Sequence, residues 1–354
     1  MTVTTLGLPE VRRDRQAVPA DMPRSGPLLD TFGRAATDLR VSLTDRCNLR
    51  CTYCMPAQGL DWLPADDLLS FEETTRLLRL AVTRLGIRRI RFTGGEPLLY
   101  RRLDDVIAEA ARLQPRPEIA LTTNGVGLAQ RARSLAAAGL DRVNVSLDTV
   151  DPQYFATITR RDRLGAVLDG LDAAAEAGLG PVKVNAVLDP ASGPADAVDL
   201  LRFCLLHGYQ LRIIEQMPLD ADHQWRRDSA LQGDAILAAL RHAFDLRPDP
   251  APRGSAPARL WLVDGGPATV GVIASVSDEF CAACDRTRLT ADGQVRNCLF
   301  AAEETDLRGV LRAGGSDADI ELAWRTAMWR KAAGHGINEP GFVQPRRPMS
   351  AIGG

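Results

Sequence analysis

Two kinds of apolar pattern alternate along the chain between residues 38 and 246. Short apolar runs predict β-strands, whereas longer stretches with an apolar residue every three or four positions predict amphipathic helices. Ser70, with Glu73 three residues later, predicts an N-terminal cap for the first helix. The expected strands cover residues 39–43, 89–92, 119–121, 143–147, 182–188 and 211–215, and the expected helices cover residues 71–85, 103–113, 130–138, 164–177, 195–207 and 229–244.

Six strand–helix units in series predict an α/β fold with a parallel sheet, because right-handed crossovers place each new strand beside the last one. The sheet is expected to curl into a closed or partial (β/α)6 barrel like that of triosephosphate isomerase. A doubly wound open sheet is the alternative. The barrel is favoured because polar or reactive residues follow the successive strands, and such residues line the C-terminal rim of a barrel. An open sheet would place its site at one switch point and use fewer strands.

The sequence outside these units divides into three further regions. Residues 1–34 lack the apolar core of a signal peptide and are rich in Pro, Arg and Asp, so they predict a poorly ordered leader. The barrel domain is expected at residues 35–246. A C-terminal extension at residues 247–339 opens with a Pro-rich linker and short strands. Residues 340–354 predict a tail ending in two glycines, which have no side chain to hinder insertion into a narrow site.

The composition limits the class of protein. The chain has 354 residues, 45% of them hydrophobic, which is enough for a globular core. The net charge of -2 gives no electrostatic reason to expect nucleic acid or a membrane surface as a partner, and no apolar run is long enough to cross a bilayer. Six of the seven cysteines lie in two groups, which is typical of metal sites in a reducing compartment. A cytoplasmic protein is therefore expected.

The first cysteine group has the spacing C-x3-C-x2-C, with Cys47, Cys51 and Cys54 directly after the first expected strand. Three thiolates in one short loop suit a 4Fe-4S cluster in which one iron keeps an open coordination position. A structural zinc ion is the alternative. It needs four ligands, however, and the nearest histidine in the sequence is the distant His207.

The second cysteine group, Cys281, Cys284 and Cys298, has the spacing C-x2-C-x13-C and again offers three ligands. A second 4Fe-4S cluster is expected here. Zinc is a stronger alternative at this site than at the first, because C-x2-C is also half of a zinc site. Cys204 could supply a fourth ligand. It lies in an expected helix, however, and a free cysteine there is more commonly a small buried core residue.

Cations occur inside strands that should be largely apolar, at Arg40, Arg91 and Lys183. Arg286 and Arg288 follow the second cysteine pair. These five are either solvated at an irregular edge or gathered inside the barrel around an anionic substrate. A triphosphate would suit the second arrangement, because the planar fork of arginine binds phosphate oxygens in pairs.

Several motifs carry a family resemblance. C-x3-C-x2-C with Tyr53 before the last cysteine, together with Gly94-Gly95-Glu96-Pro97 after the second strand, resembles the radical S-adenosylmethionine (SAM) superfamily. The segments DLRVSLTDRCNLRCTYCMP, RFTGGEPLL, LTTNG, NVSLD and VKVN, the late C-x2-C-x-R-x-R and the final IGG resemble the GTP 3',8-cyclase family of molybdenum cofactor biosynthesis. This resemblance runs from about residue 38 to residue 354.

The resemblance implies a partial barrel of radical SAM type with a 4Fe-4S cluster on each cysteine group. SAM would be cleaved at the first cluster to a 5'-deoxyadenosyl radical, which would remove the 3' hydrogen of GTP and lead to 3',8-cyclo-7,8-dihydro-GTP. The second cluster would bind the guanine. The implied SAM contacts are Tyr53, Gly95, Glu96, Ser146 and Met217; the implied GTP contacts are Arg40, Arg91, Thr122, Lys183, Arg286, Thr287 and Arg288; catalysis is expected to involve Cys47, Cys51, Cys54, Arg286, Arg288, Gly353 and Gly354.

The same resemblance implies partners, namely an electron donor, a downstream cyclic pyranopterin monophosphate synthase and a second copy of the chain in a homodimer. Two other functions stay open. One is a different radical SAM enzyme, such as a peptide-modifying maturase, although those typically hold more cysteines in their extensions. The other is a zinc-stapled scaffold or binding protein without chemistry.

Overall fold

All six expected strands form, and they pair side by side in the order in which they occur along the chain. The computed structural model describes residues 18–190 and 192–353. The strands are β1 (Leu28–Leu29), β2 (Ala35–Ala36), β3 (Asp38–Ser42), β4 (Arg89–Thr93), β5 (Glu118–Thr123), β6 (Arg142–Ser146), β7 (Lys183–Val187), β8 (Gln210–Ile214), β9 (Leu246–Pro248), β10 (Arg259–Val263), β11 (Thr269–Ile273), β12 (Arg286–Leu289), β13 (Gln294–Arg296) and β14 (Thr305–Asp306).

The helices of the repeating units lie between these strands, close to where the sequence predicts them. The helices are α1 (Phe71–Thr83), α2 (Leu103–Ala111), α3 (Leu128–Ala138), α4 (Pro152–Thr159), α5 (Leu164–Glu176), α6 (Gly193–His207), α7 (Gly233–Arg241), α8 (Leu307–Arg312), α9 (Asp317–Trp329) and α10 (Met349–Ile352). The expected cap of α1 is confirmed, since Ser70 Oγ accepts from the Glu73 N–H at 3.1 Å and Glu73 Oε2 from the Ser70 N–H at 2.8 Å. None of the helices in the described residues combines the length and apolar character needed to span a membrane.

One sheet runs through the molecule in the strand order β14-β13-β12-β3-β4-β5-β6-β7-β8-β11-β10-β9. Strands β3 to β8 are parallel, and the extension adds a parallel strand at each side, with β12 beside β3 and β11 beside β8. The order from β3 to β8 never reverses, so the doubly wound sheet is excluded. Within residues 18–190 and 192–353 the edge strands β14 and β9 do not pair with each other. The barrel is therefore partial, as predicted.

The two faces of the central strands have different chemistry. In β3, Leu39 and Val41 are buried in a core that they share with Leu77 and Leu80 of α1. The intervening residue, Arg40, points to the opposite face, because successive side chains of a strand alternate. The helices therefore cover the outer face of the sheet, and the inner face carries the polar and charged side chains.

Part of the expected leader belongs to the fold. Residues 1–17 lie outside the described part of the chain, but residues 28–36 form the β1–β2 hairpin, and Leu28 is fully buried. Arg325 of α9 donates hydrogen bonds to the carbonyls of Gly26 and Pro27. The prediction of a poorly ordered leader is wrong for this hairpin, because its backbone pairing and a buried cation fix it to the extension.

The extension contains more regular structure than the sequence predicts. Strands β9, β12, β13 and β14 and helices α8 and α9 were not expected, and nor was α4 in the barrel. The Pro-rich stretch after β9 is also tied to the core, since Ser255 Oγ donates to Asp285 at 3.0 Å. Asp151 caps α4 by accepting from the Tyr154 N–H at 2.6 Å, with Pro152 in the first turn.

Candidate active site

The first cysteine group lies in the loop that leaves the C-terminal end of β3. Backbone hydrogen bonds fix this loop, from the Cys54 N–H to the Cys51 carbonyl at 3.0 Å and from the Thr52 N–H to the Ile158 carbonyl at 2.9 Å. Burial raises the pKa of all three thiols, that of Cys54 to about 12, and the neighbouring sulfurs add to the effect at Cys51 and Cys54. Three thiolates would repel one another here unless a positively charged group lay between them.

The glycine loop after β4 packs directly against the cysteine loop. The Gly95 N–H donates to the Thr44 carbonyl at 2.7 Å, and the Glu96 N–H donates to the Arg46 carbonyl at 2.7 Å. A Cβ atom on Gly95 would lie 2.4 Å from the Asp45 and Arg46 carbonyl oxygens. Only glycine allows this close approach of the two backbones.

Glu96 is buried and connects three loops. Its carboxylate accepts from the Leu98 N–H at 2.9 Å, the Thr123 hydroxyl at 2.7 Å and the Asn124 N–H at 2.7 Å. Burial raises the pKa of Glu96 to about 7, although these hydrogen bonds act in the opposite direction. Asn124 in turn points its amide at Cys47 Sγ, at 3.7 Å. Glu96, expected as a SAM contact, thus has internal partners that position the cysteine loop.

The rim around the cysteines contains the other expected SAM residues. The Tyr53 hydroxyl donates to Asp148 Oδ2 at 2.8 Å, and Asp148 Oδ1 accepts from the Val187 N–H at 2.8 Å. Burial raises the pKa of Asp148 to about 6. Ser146 ends β6, Met217 follows β8, and both are half-buried. The structure therefore brings residues that follow β3, β6 and β8 to one end of the sheet.

A cluster of cations occupies the inner face of the sheet, and we call it the cation cluster. Arg40 of β3 has Arg91 of β4 as its register partner on one side and Arg288 of β12 on the other. Arg40 Nε and Arg91 Nε are buried and have no hydrogen-bond partner. The cluster consists of Arg40, Arg91, Arg142, Lys183, Arg212, Arg286 and Arg288, of which Arg142 and Arg212 were not expected from the sequence.

The cation cluster lacks the negative charge that would balance it. Burial and the charge of Arg40 lower the pKa of Arg91 to about 9, and burial with the same neighbour lowers that of Arg288 well below its usual value. Asp38 is the buried carboxylate among them: burial would raise its pKa, but Arg40 and its neighbours lower it overall. Glu118 pairs with Arg142, and Asp285 lies near Arg40, but three carboxylates do not balance seven cations, so the cluster is suited to a polyanion.

The substrate positions expected from the sequence do not all lie in this cluster. Thr122 of β5 lies half-buried on the inner face, where its hydroxyl accepts from the Asn144 amide at 3.3 Å. Thr287, in contrast, is fully buried, and its hydroxyl accepts from Trp324 Nε1 at 3.2 Å. Because side chains alternate along β12, Thr287 points toward α9 while Arg286 and Arg288 point inward. The Thr287 side chain therefore lies away from the cation cluster, and its expected contact with the substrate stays a prediction.

The second cysteine group lies next to the cation cluster. Cys281 and Cys284 flank a short turn before β12, and Cys298 follows β13. Burial raises the pKa of Cys281 to about 11. Burial also acts to raise the pKa of Cys284, but Arg286 and Lys331 outweigh it and bring the value to about 7. Cys204 lies on α6, where it is completely buried in the hydrophobic core, as expected. It is therefore a core residue rather than a fourth ligand.

The C-terminal tail links the cysteine loop to the cation cluster. The proximity of Ser350 to Cys54 acts to lower the pKa of that thiol, although burial outweighs this effect. The Gly353 carbonyl accepts from Arg288 Nη1. A Cβ atom on Gly353 would lie 2.9 Å from a Thr93 methyl group and 3.0 Å from Ser42 Cβ, so the tail enters where a side chain would not fit. Gly354, the other expected tail residue, lies outside the described residues.

Comparison with known proteins identifies the family of the chain. A family model described as the radical SAM superfamily matches residues 41–204, and one described as Molybdenum Cofactor Synthesis C matches residues 209–337. Proteins named GTP 3',8-cyclase from Mycobacterium sp. (strain KMS) and Mycobacterium marinum are 73% and 71% identical, and each match covers the whole of both chains. The chain belongs to the GTP 3',8-cyclase family.

A solved structure supports the fold of this cyclase family member. Streptococcus suis SuiB bound to S-adenosylmethionine matches 89% of this chain and 75% of its own, with 15% identity and a TM-score of 0.54. At that identity the likeness concerns the fold alone. Together with the family match, it confirms the partial barrel of radical SAM type.

The cysteine geometry of this cyclase family member suits a cluster better than a single zinc ion. Tetrahedral thiolates around one zinc ion lie about 3.8 Å apart, given Zn–S bonds of about 2.3 Å. Among the described residues, the one potential ligand group with all atoms within 4.8 Å is Glu279, Cys281 and His335, and neither cysteine trio qualifies. His335 uses Nε2 toward the Ser275 carbonyl at 2.9 Å and Nδ1 toward the Ile337 N–H at 3.1 Å. Its ring nitrogens are thus already occupied.

Sequence reasoning missed three cations of the site, namely Arg142, Arg212 and Lys331. Arg212 of β8 is buried, and burial lowers its pKa to about 10. Lys331 contacts Cys284. A signal existed for Arg212, since it is a cation within an apolar strand, as Arg40 and Arg91 are. The sequence gave no such signal for Lys331, because this residue follows α9 and only the packing of that helix brings it to Cys284.

Proposed function

We propose that this chain converts GTP to 3',8-cyclo-7,8-dihydro-GTP, the first step of molybdenum cofactor biosynthesis. The observation that carries the proposal is the buried cation cluster between two groups of three cysteines. Full-length relatives at 73% and 71% identity are named for this activity. A zinc-stapled scaffold would have no use for buried, unbalanced arginines, which cost free energy in the absence of an anion.

The proposed ligands follow from the site. Cys47, Cys51 and Cys54 would hold one 4Fe-4S cluster, and Cys281, Cys284 and Cys298 a second. When bound, the first cluster and SAM supply the one-electron chemistry that removes a hydrogen atom from an unactivated carbon. Tyr53, Gly95, Ser146 and Met217 line the rim at which SAM would bind, and Glu96 would act from behind it by fixing the loops that carry Cys47 and Asn124.

The cation cluster would bind and orient the triphosphate. Arginine forks at Arg40, Arg91 and Arg288 offer paired donors to phosphate oxygens, and the substrate would remove the mutual repulsion of their charges. Lys183, Arg286 and the Thr122 hydroxyl lie on the same inner face. Because Arg288 is buried and the other side chains are at least half-buried, the bound nucleotide would be partly shielded from water, which protects a reactive intermediate.

The tail would complete the binding site. Arg288 donates to the Gly353 carbonyl, so one guanidinium would contact both the tail and the substrate. Gly353 and Gly354 would thus help to close the site. An electron donor, a downstream cyclic pyranopterin monophosphate synthase and a homodimer are further predictions that follow from family membership.

The test is an anaerobic assay of SAM cleavage. Reconstituted protein, dithionite and SAM are combined with and without GTP, and 5'-deoxyadenosine and GTP-derived products are quantified. We expect GTP to stimulate cleavage and a cyclised nucleotide to form. Cleavage that is indifferent to GTP would contradict the substrate and favour another radical SAM reaction.

A pair of variants refines this assay. Arg91→Met removes a half-buried cation of the cluster, and the matched control Arg88→Met removes an exposed cation just before the same strand. Since a hydrogen bond to a charged group contributes about 1.5–3 kcal/mol, Arg91→Met should raise the KM for GTP about tenfold or more. SAM cleavage without GTP should persist. Equal effects of the two variants would show that Arg91 has no special role.

A further inference from the structure

Lysine is almost absent from this chain. Of its 43 lysine and arginine residues only Lys183 and Lys331 are lysines. Lys183 belongs to the cation cluster, whereas Lys331 follows the end of α9 and is 4% exposed. A compact ammonium and a planar guanidinium are not interchangeable at a buried site. A buried lysine in a chain that otherwise uses arginine therefore indicates a position that requires the smaller group.

The ammonium of Lys331 has one acceptor for each of its three N–H groups. Nζ lies 3.2 Å from Cys284 Sγ, 3.2 Å from the Cys284 carbonyl and 2.9 Å from the Arg286 carbonyl. All three acceptors belong to the segment that leads from the second cysteine group into β12. At the other end of this loop, Arg34 donates to the Cys281 carbonyl at 2.7 Å.

We propose that Lys331 is a positioning residue for the second 4Fe-4S cluster, fixing the segment from Cys284 to Arg286 through its three hydrogen bonds and raising the reduction potential of the cluster. The inference rests on the proposed function, which assigns this cluster to Cys281, Cys284 and Cys298. One-electron reduction by an external reductant adds one negative charge to the cluster. Net charge and hydrogen bonds to the sulfurs set the potential of such a cluster. A buried ammonium against a ligand sulfur therefore favours the reduced state.

The same side chain connects the metal site to the cation cluster. The Arg286 carbonyl that Lys331 binds belongs to the first residue of β12, whose guanidinium stacks over the Phe280 ring at 4.9 Å. Lys331 thereby fixes the backbone between Cys284 and an arginine expected to bind the substrate. An arginine at position 331 would need room for a larger planar group that three closely spaced acceptors do not leave.

The test measures the potential of the second cluster alone. In the full-length chain Cys47, Cys51 and Cys54 are replaced by serine, so that iron signals report only the second group. This parent protein is compared with Lys331→Met, which removes the charge and the donors, and with Lys331→Gln, which removes the charge but keeps an N–H donor. Arg330→Met is the matched control, because it removes an exposed cation from the neighbouring position. Midpoint potentials are measured by electron paramagnetic resonance during titration with dithionite.

We expect both Lys331 variants to shift the reduction equilibrium at least tenfold toward the oxidised cluster, which is about 59 mV for a one-electron couple. Arg330→Met should leave it unchanged. Unchanged potentials in both Lys331 variants would overturn the inference. Loss of iron and sulfide from both, with unchanged circular dichroism and normal loading of Arg330→Met, would support the positioning role. A parent protein that takes up no iron and sulfide would instead contradict the proposed function.

Discussion

At the scale of the residue, the cation cluster favours anion binding but destabilises the unliganded protein. Arg40, Arg91 and Arg288 lie side by side on three adjacent strands, and burial together with mutual repulsion lowers the pKa values of Arg91 and Arg288. Such an arrangement destabilises the unliganded fold and is relieved when an anion binds. The positive charges are already desolvated and oriented before the substrate arrives, so little reorganisation is needed on binding.

Lys183 is expected to make the affinity of the cation cluster for phosphate groups depend on pH. Burial, with repulsion from Arg142 and Arg212, lowers the pKa of Lys183 to about 8. Below that pH the side chain is charged and attracts phosphate; as the pH rises through 8 the unliganded protein loses this charge, and affinity falls. We expect the ratio of triphosphate affinities between the wild type and Lys183→Met to fall roughly tenfold between pH 7 and pH 9.5, by calorimetry.

Inorganic triphosphate is the ligand in these measurements, and its own protonation also changes with pH. Because the wild type and Lys183→Met bind the same ion, this contribution cancels in the ratio of their affinities. The arginines remain in both proteins, so binding should persist in the variant at every pH. A ratio that stays constant over this range would show that Lys183 does not carry the pH dependence.

At the scale of the element, strand alternation and the tail decide which side chains reach the site. β12 directs Arg286 and Arg288 inward and Thr287 toward Trp324 of α9. The tail before α10 is held by Arg347, whose two Nη atoms donate to the two Asp292 oxygens at 2.9 and 2.7 Å. Asp292 also accepts from the Thr290 hydroxyl, just after β12. Asp292 thus fixes the tail relative to the end of β12, the strand that carries Arg286 and Arg288.

Arg347→Ala should release the tail without unfolding the barrel. A half-buried bidentate pair of this kind contributes about 1.5 kcal/mol, so the docked state should lose roughly tenfold in population. The amides of Ala351 and Gly353, which donate to the Pro348 and Met349 carbonyls, should then exchange with deuterium about tenfold faster. Arg346→Ala, at an exposed neighbouring position, should leave the exchange unchanged. Equal protection in both variants would rule out the Arg347–Asp292 pair as the anchor.

At the scale of the whole molecule, the extension and the barrel share one sheet. β12 pairs with β3 through four residues and β11 pairs with β8 through another four, so both sides of the six-stranded centre are covered by later sequence. Buried side chains of these strands, such as Leu289 and Val270, complete the common core. The expected boundary at residue 246 coincides with the first residue of β9, whose sheet continues into the barrel.

The sequence predicted the structural elements that depend on the pattern of neighbouring residues. The six central strands and the cap at Ser70 follow from periodicity and spacing, and the structure places them as expected. It did not predict pairing across long separations, such as β12 with β3, because short strands in the extension carry no mark of their partners. α4 was missed although Asp151 and Pro152 are a recognisable start signal. The motif around Arg286 and Arg288 does not by itself show that the Thr287 side chain lies on the opposite face of β12.

The shared sheet predicts that the barrel does not fold alone. A chain ending at residue 246 would leave β3 and β8 as exposed edges, and such edges promote aggregation. It would also lose core residues worth about 1.5–3 kcal/mol each, among them Leu289, Val270 and Trp324. We expect it to aggregate in size-exclusion chromatography. A chain ending at residue 339, which loses only the tail and α10, should stay soluble and unfold in one transition. A chain ending at residue 246 that was monomeric and unfolded cooperatively would contradict this prediction. The barrel would then be stable without β11 and β12, and the extension would be a separate domain.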